Sequence, residues 1–240
     1  MFMPKKNLES LMFTSTPKRI LFKHACAAAF AMIAMLCAAV TAQAQDENYV
    51  AGEHYDVITP AIRGTSGKIE VMEFFWYGCG HCYNFEPQLA QWKKTLADDV
   101  VLQGSPAMWN AAMQVHAKAF YAAEALNVLD TMHIPLFQAL NVDRKRLADE
   151  DELADLFAAN GVSREDFSKA FNSFGVGSQT RQADARARAA KISGTPEMMV
   201  AGKYRISTRK AGSQANMLKI ADFLIEKERA AMQQVAQTAS

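Results

Sequence analysis

Hydrophobic positions divide the chain after residue 44 into stretches of two kinds. An almost unbroken apolar run, rich in β-branched and aromatic residues, extends from Lys68 to Trp76 and is typical of a strand buried on both faces. A helix is predicted from Cys79 to about Ala97, with Pro87 as a kink. Shorter apolar runs predict further strands over 55–58, 100–102, 198–200 and 204–206.

Between these strand-bearing ends, from about residue 105 to about residue 191, the pattern is helical throughout. Ser105-Pro106 predicts an N-cap with proline in the first helical position, and one long amphipathic helix is predicted over 111–129. Further helices are predicted over 149–159, after Ser163, and over 213–231. The chain therefore predicts an α/β fold that is interrupted by a helical block.

The N-terminal segment has the composition of a secretory signal. Lys18, Arg19 and Lys23 precede sixteen unbroken apolar residues at 25–40, and Ala42-Gln43-Ala44 follows. The apolar run is shorter than the roughly 18–20 residues that a membrane-spanning helix needs. We expect residues 1–44 to be a signal peptide cleaved after Ala44, and we expect the mature chain to be exported. Met1, Met3 and Met12 all stay open as the start.

The net charge and the number of cysteines restrict the classes of function that the chain can have. A formal net charge of +1 excludes a strongly basic nucleic-acid-binding protein. Cys26 and Cys37 lie within the expected signal, so cleavage leaves only Cys79 and Cys82. A disulfide between cysteines three positions apart closes a very short loop and adds little stability. We infer that this pair has a role other than cross-linking.

The segment Gly78-Cys79-Gly80-His81-Cys82 lies where a buried strand gives way to a helix. The unpaired N–H groups of a helix N-terminus stabilise a thiolate at the first cysteine, and His81 would add to that effect. An inert disulfide and a zinc site are the alternatives. Zinc usually takes four ligands, and the other histidines after residue 44 are scattered at 54, 116 and 133. Redox chemistry is therefore the prediction.

Two segments more than a hundred residues apart resemble one known family. EFFWYGCGHCYNFE at 73–86 resembles the active-site segment of the DsbA family of thioredoxin-fold oxidases, and GTPEMMVAGKY at 194–204 resembles its second signature. The resemblance covers essentially the whole chain after residue 44. It implies a thioredoxin fold, formed by residues 45–107 and 185–240, with an all-helical domain inserted at about 108–184.

The resemblance also implies roles for individual residues. Thr195-Pro196 aligns with the family's cis-proline loop, which lies beside the cysteines and pairs with the substrate backbone. Glu73 aligns with a buried carboxyl group that could shuttle the proton of Cys82, and burial would raise its pKa. The alternative for Glu73 is an acid that reaches solvent at the rim of the sheet. Gly80 stands where many family members have proline, which leaves the reduction potential open.

The function that follows from the resemblance is a periplasmic dithiol oxidase without a cofactor or a metal. It would donate the Cys79–Cys82 disulfide to newly exported or unfolded cysteine-containing proteins and be reoxidised by a DsbB-type, quinone-linked membrane partner. We expect a monomer with no nucleic-acid partner. Two alternatives stay open: a disulfide isomerase or reductase, and a peptide-binding holdase without turnover.

Overall fold

The computed structural model describes residues 49–64 and 66–238, so the predicted signal peptide at 1–44 lies outside the described residues. The strands are β1 Asp56–Val57, β2 Ile69–Phe75, β3 Val100–Pro106, β4 Glu197–Val200 and β5 Tyr204–Ser207. The helices are α1 Gly80–Lys93, α2 Ala111–Ala125, α3 Leu129–Asn141, α4 Glu150–Ala159, α5 Arg164–Phe171, α6 Phe174–Ala189, α7 Thr208–Ala211 and α8 Gln214–Thr238.

The strands form one mixed sheet in the order β1-β5-β4-β2-β3. β2 runs parallel to β3, to which α1 connects it, and antiparallel to β4, while β5 is antiparallel to both β4 and β1. β2 is an interior strand and nearly all of its residues are buried. The strand predicted over 68–76 is therefore confirmed, and its carboxyl end leads directly to Cys79.

Helices α1 and α8 cover one face of this sheet. Phe85 and Leu89 of α1 and Leu224 of α8 pack with Val71 and Ile206 of the strands in one buried cluster. Because side chains alternate along a strand, Glu73 faces the same side of β2 as Val71. The sheet therefore places the carboxyl group of Glu73 beneath α1.

Five helices, α2 to α6, lie between β3 and β4 in sequence and form a second buried cluster. Phe137, Phe157 and Phe167 are at its centre, and Phe75 and Cys82 belong to the same cluster. The described structure is thus a thioredoxin-like sheet domain interrupted by helices, as expected. The boundaries at 108 and 184 stay a proposal. Residue 184 lies inside α6, which continues to Ala189.

The prediction of a helix N-terminus at Ser105-Pro106 is wrong. Both residues are the last of β3, where they pair with Phe74 and Phe75. β3 is an edge strand, and an edge tolerates proline because the missing N–H has no ladder partner to lose. The helix begins at Ala111 instead, where the side chain of Asn110 accepts a hydrogen bond of 2.9 Å from the amide of Met113.

The single long helix predicted over 111–129 is also wrong. α2 ends at Ala125, and Asn127 adopts a left-handed backbone conformation with φ of 56° before α3 begins at Leu129. Asparagine tolerates this conformation better than most residues, so the break falls where it costs little. Within the described residues, no helix combines the length and the apolar character needed to cross a membrane.

Candidate active site

Cys79 is the N-cap residue of α1 and has extended backbone angles, with φ of −89° and ψ of 109°. Its sulfur accepts a hydrogen bond of 3.2 Å from the backbone amide of Cys82. On its other side, Sγ lies 3.5 Å from the carbonyl oxygen of Thr195. Both thiols are free, so this is the reduced form of the site.

Hydrogen bonds to the sulfur lower the pKa of Cys79 to about 5. The largest cause is the hydrogen bond with the Cys82 side chain, and partial burial opposes it. Hydrogen bonds from the side chain of Thr195 and from the backbone amides of Cys82 and His81 lower the pKa further. A sulfur at a helix N-terminus gains from these otherwise unpaired N–H groups, which is the effect that the sequence predicted.

Cys82 has the opposite environment. Its side chain has no exposed surface and belongs to the cluster that contains Phe75 and Phe137. Burial raises the pKa of the Cys82 thiol, and the hydrogen bond with Cys79 and the charges of Cys79 and Glu73 raise it further. The site therefore pairs a half-buried thiolate with a thiol that holds its proton.

His81 acts on Cys79 through its backbone. The residue is exposed, and its amide is one of the donors that lower the pKa of Cys79. Its carbonyl oxygen accepts a hydrogen bond of 2.6 Å from Nε2 of Gln214, the first residue of α8. This contact fixes the first turn of α1 against the last helix.

The loop from Gly194 to Glu197 lies beside the cysteines, as the resemblance implied. The peptide bond between Thr195 and Pro196 is cis, which confirms that expectation. The hydroxyl group of Thr208 donates a hydrogen bond of 3.2 Å to the carbonyl oxygen of Pro196. A second cis bond, between Thr59 and Pro60, was not predicted.

Glu73 is buried in the middle of β2, with only 3% of its surface exposed. The alternative of an acid that reaches solvent at the sheet rim is therefore wrong. Burial raises its pKa well above the usual value, and the charges of Glu86 and Cys79 raise it further. Its Oε1 atom has no hydrogen-bond partner among the described residues. Burial in this environment therefore favours the protonated form of the carboxyl group.

A family model of the DsbA-like thioredoxin domain matches residues 94–218. The thiol:disulfide interchange protein DsbA of Pseudomonas aeruginosa is 41% identical over 189 residues, 78% of this chain and 90% of that protein. The DsbA of Azotobacter vinelandii is 44% identical over 165 residues, 69% of this chain and 77% of that protein. The chain belongs to the DsbA family.

Solved structures agree with this assignment. The crystal structure of P. aeruginosa DsbA superposes with a TM-score of 0.75 at 40% identity and covers 78% of this chain and 98% of that one. The DsbA oxidoreductase of Xylella fastidiosa gives a TM-score of 0.71 at 32% identity, covering 76% and 98%. This DsbA-family chain is therefore a thiol:disulfide oxidoreductase with a thioredoxin-like fold and an inserted helical region.

Two residues that the sequence analysis did not single out lie next to Glu73 in this DsbA-family site. Glu86, on α1, is 8% exposed, and His133, on α3, directs its Nε2 atom to within 3.3 Å of the Glu86 carboxyl group. Nδ1 of the same ring lies 2.9 Å from the hydroxyl group of Tyr77. Glu86 shares the helix face of Cys82 and Leu89, so its helical spacing was a usable signal.

The loop that precedes Cys79 is held by side chains from the inserted helices. Nε1 of Trp76 donates a hydrogen bond of 3.0 Å to Nδ1 of His116 on α2. The side-chain amide of Asn141, at the end of α3, donates a hydrogen bond of 2.7 Å to the carbonyl oxygen of Tyr77. Gly78 is required here because a Cβ atom would lie 2.3 Å from the Trp76 ring.

A cavity of about 510 Å³ lies on the α1 side of the sheet. Its walls come from β2, β3, α1, α2, α3 and α6, and Glu73, Glu86 and His133 all line it. In the described part of the chain, no group of three or more histidine, cysteine or acidic side chains is arranged to hold a metal ion.

Proposed function

We propose that the protein is a dithiol oxidase that donates its Cys79–Cys82 disulfide to other proteins, with these two cysteines as its catalytic residues. The observation that carries the proposal is the opposite environment of the two thiols. Hydrogen bonds lower the pKa of Cys79 to about 5, while burial raises that of Cys82. Stabilising the thiolate favours the reduced protein, so the disulfide form tends to pass its oxidising equivalents on.

The reaction starts when a substrate thiolate attacks Sγ of Cys79 in the disulfide. The bond between the two cysteines breaks, and Cys82 leaves as a thiolate while Cys79 forms a mixed disulfide with the substrate. Because the pKa of Cys82 is raised, this sulfur takes up a proton, and Glu73 is the nearby acid that supplies it. A second substrate thiolate then attacks the substrate sulfur and releases reduced Cys79.

Thr195 and Pro196 are the proposed binding residues for substrate backbone. The carbonyl oxygen of Thr195 lies 3.5 Å from the sulfur of Cys79, so a peptide segment that reaches Cys79 passes beside this loop. The hydrogen bond from Thr208 to the Pro196 carbonyl holds the loop in place. A fixed loop can pair with an extended chain irrespective of the chain's sequence, which suits a broad range of substrates.

The proposed substrates are newly exported or unfolded proteins with free cysteines, and the proposed site of action is the periplasm after cleavage at Ala44. We propose reoxidation by a DsbB-type, quinone-linked membrane protein, since the chain must recover its disulfide after each turnover. We assign to His81 a role in stabilising the Cys79 thiolate, since its backbone amide is one of the donors that lower the pKa of Cys79. We propose that the protein acts as a monomer and does not bind nucleic acid.

Equilibration of the full mature protein with glutathione redox buffers tests this function. We expect a potential well above that of thioredoxin, because the Cys79 thiolate is stabilised. A thioredoxin-like potential would contradict the oxidase and support a reductase. A variant with both Cys79→Ser and Cys82→Ser serves as the control in a cellular assay of disulfide formation. Full function of that variant would support the holdase instead.

A further inference from the structure

The polar contacts around His133 are unusual for a residue packed among aromatic rings. The edges and faces of Phe75, Tyr77 and Phe137 surround the imidazole, with ring centroids 5.1–5.4 Å away. Even so, both ring nitrogens face polar atoms, the Tyr77 hydroxyl group at 2.9 Å and the Glu86 carboxyl group at 3.3 Å. A phenylalanine could pack among these rings equally well, so packing does not explain why both ring nitrogens face polar groups.

The contact with Tyr77 determines what His133 offers to Glu86. Burial raises the pKa of the Tyr77 phenol, and the charges of Glu86 and Glu73 raise it further, so the phenol keeps its proton. When the imidazole is neutral, this hydroxyl group can donate to Nδ1, which leaves the ring hydrogen on Nε2. When the imidazole is protonated, Nε2 also carries a hydrogen. In both states an N–H group faces the carboxyl group of Glu86.

Glu86 in turn acts on Glu73. The charge of Glu86 is the second cause, after burial, of the raised pKa of Glu73. Oε1 of each carboxyl group lacks a hydrogen bond within the described residues, and both side chains line the 510 Å³ cavity together with His133. The other ionisable groups that line this cavity are Lys93, Tyr121, Glu124, Asp130 and Arg186.

We propose that His133 is a positioning residue for thiol exchange. Its Nε2 atom lies 3.3 Å from Oε1 of Glu86, so the polar edge of the ring supports negative charge on the Glu73–Glu86 pair. It thereby controls how readily Glu73 accepts the proton of Cys82. The inference rests on the proposed role of Glu73 and adds to it a residue from the inserted helices. Without the N–H group opposite Glu86, negative charge on the two carboxyl groups is less favourable, and Glu73 accepts the proton of Cys82 less readily.

The step that isolates this effect is the closure of a mixed disulfide between Cys79 and glutathione. The thiol of Cys82 loses its proton to Glu73 and attacks Sγ of Cys79, a bond forms between the two cysteines, and glutathione leaves as a thiolate that takes a proton from water. Cys82 is oxidised and the glutathione sulfur is reduced. Formation of the adduct from reduced protein and glutathione disulfide needs only the thiolate of Cys79.

Acid quenching and mass spectrometry of the reduced mature protein mixed with glutathione disulfide measure both steps. For His133→Phe, which keeps the aromatic packing, we expect adduct decay to slow about tenfold near pH 6 and less than about twofold near pH 9. Adduct formation should change less than about twofold at either pH. His54→Phe is the matched control, because His54 precedes β1 and does not line the cavity.

A double-mutant cycle with Glu86→Gln distinguishes the proposed electrostatic effect of His133 from a simple loss of packing. In the Glu86→Gln background, His133→Phe should have no further effect on adduct decay, because the carboxyl group on which it acts is absent. Equal slowing in both backgrounds, an unchanged pH profile, or equal slowing of formation and decay would each overturn the inference. Glu73→Gln is measured in parallel. If it slows decay and His133→Phe does not, only the role of His133 fails, whereas normal decay in Glu73→Gln removes the role of Glu73 itself.

Discussion

The backbone amide of Cys82 donates a hydrogen bond of 3.2 Å to the sulfur of Cys79, so the residue that leaves during substrate oxidation also stabilises the residue that substrate attacks. The contact exists because Cys79 caps the helix on which Cys82 completes the first turn. The spacing of three residues thus allows the two cysteines to form a disulfide, and it also places the amide of Cys82 where it stabilises the Cys79 thiolate.

Cys79 should react before Cys82 when the reduced protein meets an alkylating agent near pH 5. The pKa of Cys79 is lowered to about 5, so about half of this thiol is ionised there, whereas Cys82 is buried and stays protonated. Peptide mapping after brief labelling identifies the modified residue. Labelling of a denatured sample is the control, and there both cysteines should react alike. Predominant label on Cys82 in the native protein would contradict the assignment.

The reduced protein should melt at a higher temperature than the disulfide form at pH 7. The folded state lowers the pKa of Cys79 to about 5, against about 8.5 for an unfolded thiol. A lowered pKa contributes stability that is fully present above the unfolded value and is lost as pH falls through the folded value. The short disulfide loop adds little in the other form.

The advantage of the reduced form should therefore shrink toward pH 4. Above about pH 8.5 the contribution of Cys79 is constant, and the advantage should then decline, because burial raises the pKa of Cys82 and ionisation of this thiol favours the unfolded chain. Thermal melts of both redox forms between pH 4 and pH 9 measure the difference. An oxidised form that is the more stable at pH 7 would contradict the oxidase and favour a protein that retains its disulfide.

Replacing His81 by leucine should raise the pKa of Cys79, but by less than about one unit. The backbone amides of His81 and Cys82 remain as donors, and only the exposed side chain is lost. One unit corresponds to about 1.4 kcal/mol, or about 30 mV for a two-electron couple. Ultraviolet titration of the thiolate checks this, with His54→Leu as the control. A rise of two units or more would assign the main stabilisation to the imidazole.

Gly202→Ala should destabilise the fold by more than the roughly 1 kcal/mol typical of alanine at a left-handed position. Gly202 has φ of +65°, and a Cβ atom would lie 1.9 Å from the carbonyl oxygen of Ile62. Gly177→Ala is the matched control, since its Cβ would make ordinary contacts inside α6 and should be neutral or stabilising. Urea unfolding of both variants provides the comparison. Equal stabilities would contradict the prediction.

The elements that the sequence predicted well are those whose pattern is set locally. The apolar run over 68–76 is an interior strand, and Asp149 caps the helix that its four successive acids predicted. Ser105-Pro106 could not be assigned locally, because serine followed by proline suits both a helix start and the end of an edge strand. Only the pairing with Phe74 and Phe75 decides between them.

The candidate site divides in the same way. Cys79, Cys82 and the Thr195-Pro196 loop follow from short motifs, and Glu73 follows from the family resemblance. His133 could not be placed, because its contacts with Tyr77 and Glu86 join residues that are 56 and 47 positions away in sequence. Glu86 was detectable as an acid on the buried face of α1, where a charge is rare without a partner.

The two residues before Gly78 are fastened to helices of the insertion, Trp76 to His116 and Tyr77 to Asn141. Cys79 thus follows a strand of the sheet, but side chains of the inserted helices hold the loop that positions it. Substitutions in the inserted helices that displace His116 or Asn141 would therefore move Cys79 and change its reactivity, although the sheet itself is unchanged.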